Sequence, residues 1–141
     1  MAVTVPAAAR VLALDYGSAR CGCAVSDPTG VLATPVETVL RPGSRAGLRR
    51  LRELVGSLGV SRVVVGLPVP LGGGESEQTA EARAFAQTLE QALPVPVELY
   101  DERLTTRLAS RSEGRASEDS RAAAWLLESW LRARAGGLGN G

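Results

Sequence analysis

Three carboxylates in this chain stand where strands end or a helix begins. Asp15 closes the apolar run Val11-Leu12-Ala13-Leu14, Glu102 follows Val97-Glu98-Leu99-Tyr100-Asp101, and Asp119 opens a helical pattern. Carboxylates directed toward a core from three separate elements are costly unless a cation neutralises them. A divalent metal is the usual solution. Mg2+ or Mn2+ suits oxygen ligands and keeps positions open for water and phosphate. Two such ions roughly 4 Å apart clamp the attacking and leaving oxygens of a phosphoryl displacement. That chemistry needs no imidazole base, and the chain has no histidine.

Each carboxylate also has a plainer reading. Asp119 precedes Ala122 and Ala123 by three and four residues, so it extends the apolar face Ala122, Ala123, Leu126, Leu127, Trp130, Leu131. Ser117 as N-cap, with Glu118 and Asp119 favoured by the helix dipole, accounts for it equally. Asp15 can form an Asx-turn onto Gly17, where glycine permits an unusual backbone conformation and close approach of a ligand. Glu102 can be a solvated charge or pair with Arg103. Placement raises the metal reading above these: Asp15 and Glu102 both lie near carboxyl ends of strands, where open α/β sheets bind ligands.

A basic stripe begins beside Glu102. Arg103, Arg107, Arg111 and Arg115 recur every four residues, which on a helix places four guanidinium groups on one ridge. Such a ridge tracks a phosphate backbone, and Gly114 marks where that helix would end. Arg45, Arg49 and Arg52 read as the ordinary exposed face of another helix. Gly66-Leu67-Pro68-Val69-Pro70-Leu71-Gly72-Gly73-Gly74 is a loop whose glycines, Gly72 and Gly73 among them, would let it cover a substrate. It has no Gly-Lys-Ser/Thr and is not a Walker loop.

The elements that must position these residues alternate in period. Arg10–Asp15, Cys21–Val25 and Val31–Leu40 read as three strands joined by short turns, an antiparallel meander. Leu48, Leu51, Val55 and Leu58 fall at helical spacing between Ser44 as N-cap and Gly59 as stop. Arg62–Gly66 is a strand buried on both faces. Ala82, Phe85, Ala86, Leu89 and Leu93 form a second helix and Val95–Tyr100 a fifth strand. A short helix follows Glu102, and a last helix runs from about Glu118 to Arg134. The order β-β-β-α-β-α-β-α predicts an α/β domain of ribonuclease-H-like fold: a five-stranded mixed sheet, meander plus two parallel crossover strands, flanked by helices.

At 141 residues with 45% hydrophobic content, the chain is expected to form one domain over 10–134, with a disordered arm at 1–9 and a disordered tail at 135–141. No apolar run is long enough to cross a membrane, residues 1–9 do not read as a signal peptide, and a cytoplasmic location is expected. Cys21 and Cys23 read as small apolar strand residues. Net charge is +1, so no global field draws the chain to nucleic acid. There is no lysine, and arginine suits phosphate through its rigid fork of donors.

Four stretches together resemble the YqgF/RuvX family, the Holliday-junction-resolvase-like proteins also called pre-16S rRNA nucleases. They are Leu14-Asp15-Tyr16-Gly17-Ser18-Ala19-Arg20-Cys21-Gly22-Cys23-Ala24-Val25-Ser26-Asp27; Val63-Val64-Val65-Gly66-Leu67-Pro68; Asp101-Glu102-Arg103-Leu104-Thr105-Thr106; and Asp119-Ser120-Arg121-Ala122-Ala123-Ala124 with Leu127-Glu128-Ser129-Trp130-Leu131. The resemblance implies a ribonuclease-H-like nuclease with Asp15, Glu102 and Asp119 as metal-binding carboxylates. Arg20 matches a family arginine and joins Arg103, Arg107, Arg111 and Arg115 as a nucleic-acid-binding candidate. The chain departs from the family in Pro70-Leu71-Gly72-Gly73, where a polar Asn-x-Asp-Gly stretch is usual, and in a shortened segment at 112–118.

The expectation is an endonuclease using two Mg2+ or Mn2+ ions on branched DNA or precursor rRNA. A resolvase making two symmetric cuts would be a homodimer, for which Trp125, off the main apolar stripe, is a candidate interface residue; inner packing explains it equally. The rivals are an actin-like ATPase, which shares Asp-x-Gly but clasps nucleotide between two domains, and a non-catalytic nucleic-acid-binding or ribosome-maturation factor.

Overall fold

The computed structural model describes residues 10–105 and 117–136. Five strands, β1 (Arg10–Tyr16), β2 (Arg20–Ser26), β3 (Ala33–Leu40), β4 (Val60–Leu67) and β5 (Val97–Asp101), form one sheet in the order β3-β2-β1-β4-β5. β1, β2 and β3 pair antiparallel, whereas β1, β4 and β5 pair parallel. The mixed sheet is therefore the one expected, and β1 is its central strand. Helices α1 (Arg45–Ser57) and α2 (Glu77–Ala92) form the two crossovers, and α3 (Glu118–Gly136) follows β5.

Strand alternation divides the core in two. Leu12, Leu14, Cys21, Cys23, Val63 and Val65 face α1 and α2, meeting Leu51, Leu54, Val55, Phe85 and Leu89. Val11, Ala13, Ala24 and Val64 face α3, meeting Ala123, Leu126, Leu127 and Trp130. Leu12, Leu14, Val63 and Val65 are fully buried, so truncating either leucine to alanine costs about 2–5 kcal/mol. On the α3 side Trp130 Nε1 donates to Glu98 Oε2 at 2.9 Å, and the Arg62 guanidinium holds Glu98 Oε1 at 3.0 Å.

The helix starts follow local chemistry. Ser44 Oγ accepts the Gly47 amide at 3.0 Å, the cap expected for α1. Ser76 and Thr79 form a capping box on α2, and the Thr79 hydroxyl also donates to the Pro68 carbonyl, tying the 68–76 loop to the helix. Ser117 Oγ accepts the Ser120 amide at 3.1 Å and caps α3. Pro35 lies on edge strand β3 at a register irregularity, where its missing N–H costs no ladder bond.

Two expectations about elements change. Only a three-residue 3-10 turn, Glu102–Leu104, follows β5 among the described residues, not the start of an α-helix. Asp101 caps that turn through its side chain, and Thr105 leaves it extended. The α3 helix continues to Gly136, past the end expected at Arg134. The arm at 1–9 and most of the tail at 135–141 lie outside the described residues.

Candidate active site

Asp15 lies near the carboxyl end of the central strand. Alternation from Val11 and Ala13 puts its side chain on the α3 face. Its partner across β2 is Gly22. Leu14 pairs with Val65 on β4, so one residue on Asp15 stands beside Gly66, whose own partner on β5 is Tyr100. A carboxylate on the middle strand is thus flanked on both sides by glycine.

The two glycines make room for the other two carboxylates. A Cβ on Gly22 would run into the backbone carbonyl of Asp119, because the first turn of α3 rests directly on β2 there. A Cβ on Gly66 would stand 2.6 Å from Glu102 Oε2, because the Glu102 side chain lies over that strand. Glycine inside a strand commonly marks such close approach. Asp15, Glu102 and Asp119 are therefore brought to one end and one face of the sheet from three elements. All three are half-buried, so they rim the core and do not point into it.

The α3 side is held by short polar contacts. Thr38 Oγ1 on β3 lies 2.7 Å from Ser117 Oγ, which also contacts Ser120 Oγ at 2.8 Å. Arg20 NH1 approaches Asp119 Oδ2 at 3.8 Å, with the arginine side chain 66% exposed. That is a loose, solvent-screened pair, which leaves most of the guanidinium free for another anion.

On the β5 side Arg103 turns back onto Asp101. Its Nε and NH2 reach the Asp101 carboxylate at 3.1 and 2.7 Å, and the Arg103 amide donates to the same carboxylate. These bonds hold the Asp101 carboxyl below the usual range and push Arg103 up. Arg103 is thus paired with Asp101 and does not begin an exposed helical ridge. Arg107, Arg111 and Arg115 lie outside the described residues. Beside Glu102 and Arg103 opens a depression of about 450 Å³ lined by Pro68, Val69, Pro70, Leu71, Ser76 and Gln78. The glycine-bearing loop does stand next to the site, with Leu71 at its exposed crest.

The Cys21 thiol reports the local field. Its pKa is raised by a hydrogen bond with Cys23, by burial, and by the negative charge of Cys23, Asp15 and Asp119 in turn. Asp15 and Asp119 thus both lie within electrostatic reach of this buried thiol. A cation there would relieve that concentration of negative charge.

The donor chemistry, all carboxylate oxygen, fits a hard divalent cation. Among the described residues, however, no group of three acidic or thiol side chains is placed to hold a metal ion by itself. The three-carboxylate cage expected from the sequence is thus not closed. Mg2+ is ordinarily held by one or two carboxylates, with water and substrate phosphate completing its shell, and the spread arrangement fits that mode.

Gly17 has an ordinary backbone, since it is not among the residues with positive φ. What it needs is space, because a Cβ would stand 2.8 Å from the Arg20 carbonyl. Gly73 has φ +87°, whereas Gly72 meets nothing nearby and has no unusual φ. Gly22 and Gly66 were missed as site residues. Their signal was a glycine interrupting each apolar strand, Cys-Gly-Cys-Ala-Val and Val-Val-Val-Gly-Leu.

Comparison with known proteins bears on this site. A family model described as RuvX, Holliday junction resolvase, matches residues 9–133. A Mycolicibacterium paratuberculosis protein named "Putative pre-16S rRNA nuclease" is 47% identical over 139 residues, covering 92% of this chain and 83% of the relative. A Corynebacterium jeikeium protein of the same name is 38% identical over 141 residues, covering 93% and 91%. Among solved structures, Thermus thermophilus RuvC is similar with TM-score 0.58 at 18% identity, over 90% of this chain and 96% of that one. That likeness establishes the ribonuclease-H-like fold.

Proposed function

The chain belongs to the RuvX family, and on that premise we propose that it is a metal-dependent endonuclease that hydrolyses phosphodiester bonds in structured nucleic acid. The observation that carries this reading is the row Gly22–Asp15–Gly66, which admits Asp119 on one side and Glu102 on the other. Precursor 16S rRNA is the favoured substrate, because relatives at 38–47% identity carry that name. A four-way DNA junction is the second reading, favoured by the family's description. It would call for a homodimer to make paired cuts.

Asp15, Glu102 and Asp119 would hold two Mg2+ or Mn2+ ions between them. When bound, such ions supply an acidified water and neutralise charge on the leaving 3′ oxygen. Asp15 is rooted in the central strand. Asp119 is set by the cap of α3, and Glu102 by the turn that Asp101 closes. Arg20, beside Asp119, binds a phosphate of the substrate, and the 68–76 loop flanks the strand on the Glu102 side. Such contacts position the nucleic acid without reading its bases. No helix among the described residues is long and apolar enough to cross a membrane, and the setting proposed for this work is the cytoplasm.

The test is a cleavage panel with Mg2+ and Mn2+, offering a precursor-rRNA fragment, a four-way DNA junction and single-stranded DNA to wild type and to Asp15→Asn. Cleavage of RNA that disappears in the variant is the expected result. Paired symmetric cuts in the junction, with RNA left whole, would move the substrate to DNA. Cleavage untouched by Asp15→Asn would sink the mechanism, and binding with no turnover on any substrate would make the protein a non-catalytic factor.

A further inference from the structure

We propose that Arg20, Arg41 and Arg45 form a second phosphate-binding surface, on the β3 side of the carboxylates, that receives the nucleic-acid backbone as it leaves the site. The inference rests on the nuclease reading above and adds the path of the substrate.

The three arginines share the end of the sheet that carries Asp15 and Asp119. Arg20 opens β2 and pairs with Leu40 at the end of β3. Arg41 follows directly, and its amide donates to the Ala19 carbonyl at 2.9 Å. The row Asp15–Gly22–Thr38 spans two strand spacings, and Arg41 lies three residues beyond Thr38, so its backbone stands roughly 14 Å from that of Asp15. Arg45 opens α1 at the same end but on the opposite face of the sheet, so a strand touching all three arginines passes around the β3 edge.

Among the described residues their charge is largely uncompensated. The acidic residues nearby are engaged elsewhere: Arg50 holds Glu37 at 2.7 Å and Glu53 at 3.1 Å. The first turn of α1 contains no acidic residue. Among the described residues neither Arg41 nor Arg45 enters an ion pair, and Arg20 has only its 3.8 Å approach to Asp119. On the opposite side of the carboxylates, Arg103 is already paired with Asp101. Among the described residues flanking the carboxylates, the arginines not already held by a close carboxylate therefore lie on the β3 side.

Arg41 is also held in place. It is the one non-glycine residue with positive φ among those described, at +42°. Its carbonyl accepts the Ser44 amide at 2.9 Å and the Ser44 hydroxyl at 2.7 Å, and Gly47 is pressed against that carbonyl. A bulky residue keeps such a backbone only where its surroundings impose it. Between Arg20 and Arg41 lies Leu40, 67% exposed, an apolar surface for a sugar or base face. Guanidinium forks flanking an apolar surface match a nucleic-acid strand.

Arg41→Asn removes the charge and places at φ +42° a residue that tolerates it, so Arg41→Asn/Arg45→Gln is expected to fold. The experiment measures binding of fluorescein-labelled precursor-rRNA fragment and four-way DNA junction across a salt series, with Ca2+ in place of Mg2+. Removing two phosphate-binding guanidinium groups should lower the slope of log K against log salt by roughly 1.4–1.8. Arg20→Gln should lower it separately by about half as much. Wild-type slope and affinity in both variants would overturn the inference while leaving the nuclease reading intact. Reduced slopes in a protein that cuts nothing would support the inference and sink the nuclease reading. Wild type that binds neither probe would overturn both.

Discussion

The Glu102 carboxylate lies against Gly66, so close that a Cβ on the glycine would stand 2.6 Å from Oε2. A glycine on β4 thus decides where a residue 36 positions later in the chain puts its charge. The neighbour is the far end of a flexible side chain. Gly66→Ala is therefore expected to keep stability within about 1 kcal/mol, since alanine also suits ordered backbone better. It should nonetheless move Glu102 aside. Displacements of about 1 Å cost on the order of 100-fold in rate, so kcat should fall at least tenfold while the urea midpoint hardly moves. Unaltered kcat would remove Glu102 from the chemistry.

Gly22→Ala should behave differently. The atoms a Cβ would meet there are the carbonyl of Asp119 and the amide of Ser120, both backbone. Relief requires lifting the start of α3 from β2, and overpacking of this kind costs about 1–3 kcal/mol. Urea denaturation should show that loss alongside a loss of cleavage. Full stability in Gly22→Ala would mean that α3 does not rest on β2 as described.

The turn between β2 and β3 offers a test by pH. The Asp27 carboxylate accepts from the Thr29 hydroxyl, from the amides of Leu32 and Val31 at 2.8 Å each, and from the Thr29 amide at 3.3 Å. These bonds, the Thr29 hydroxyl foremost, hold the Asp27 carboxyl far below its usual range. A depressed folded pKa contributes stability that is whole above the unfolded value, about 3.9, and is lost as pH falls through the folded one. The Tm gap between wild type and Asp27→Ala should be constant from about pH 5 to 7 and close below about 4. A gap that widens on acidification would contradict the assignment.

Asp15→Asn should retain the fold, because the side chain sits half-buried at the rim and the change is isosteric. Heat of Mn2+ binding in titration calorimetry should drop sharply in the variant. Equal Mn2+ affinity in both proteins would place the metal elsewhere.

The order and kind of elements were legible in the residues because periodicity is local. Period two over Arg10–Asp15, a continuous apolar run through Val65, and helical spacing from Leu48 to Leu58 each need only neighbours in sequence. The caps at Ser44 and Ser117 were legible for the same reason, since a side-chain oxygen reaches an amide only three residues on. The carboxylates Asp15, Glu102 and Asp119 could be singled out by type and by their places at element ends. The reading failed at Arg103, where an i, i+4 pattern implied a helix. A closer partner, Asp101, took the guanidinium in a 3-10 turn.

What only tertiary structure decided is how three carboxylates far apart in sequence come to share one face. Parallel register between β1 and β4 sets Gly66 beside Asp15, and antiparallel register sets Gly22 on its other side. Register depends on pairing between segments up to some fifty residues apart, as between Leu14 and Val65, and no local pattern encodes it uniquely. The chain by itself determined which residues carry charge, which runs become strands and where helices start. Packing of α3 onto Gly22 and of Glu102 onto Gly66 then determined how near those charges stand. Close approach is a property of two surfaces meeting, and a missing side chain on one of them is what permits it here.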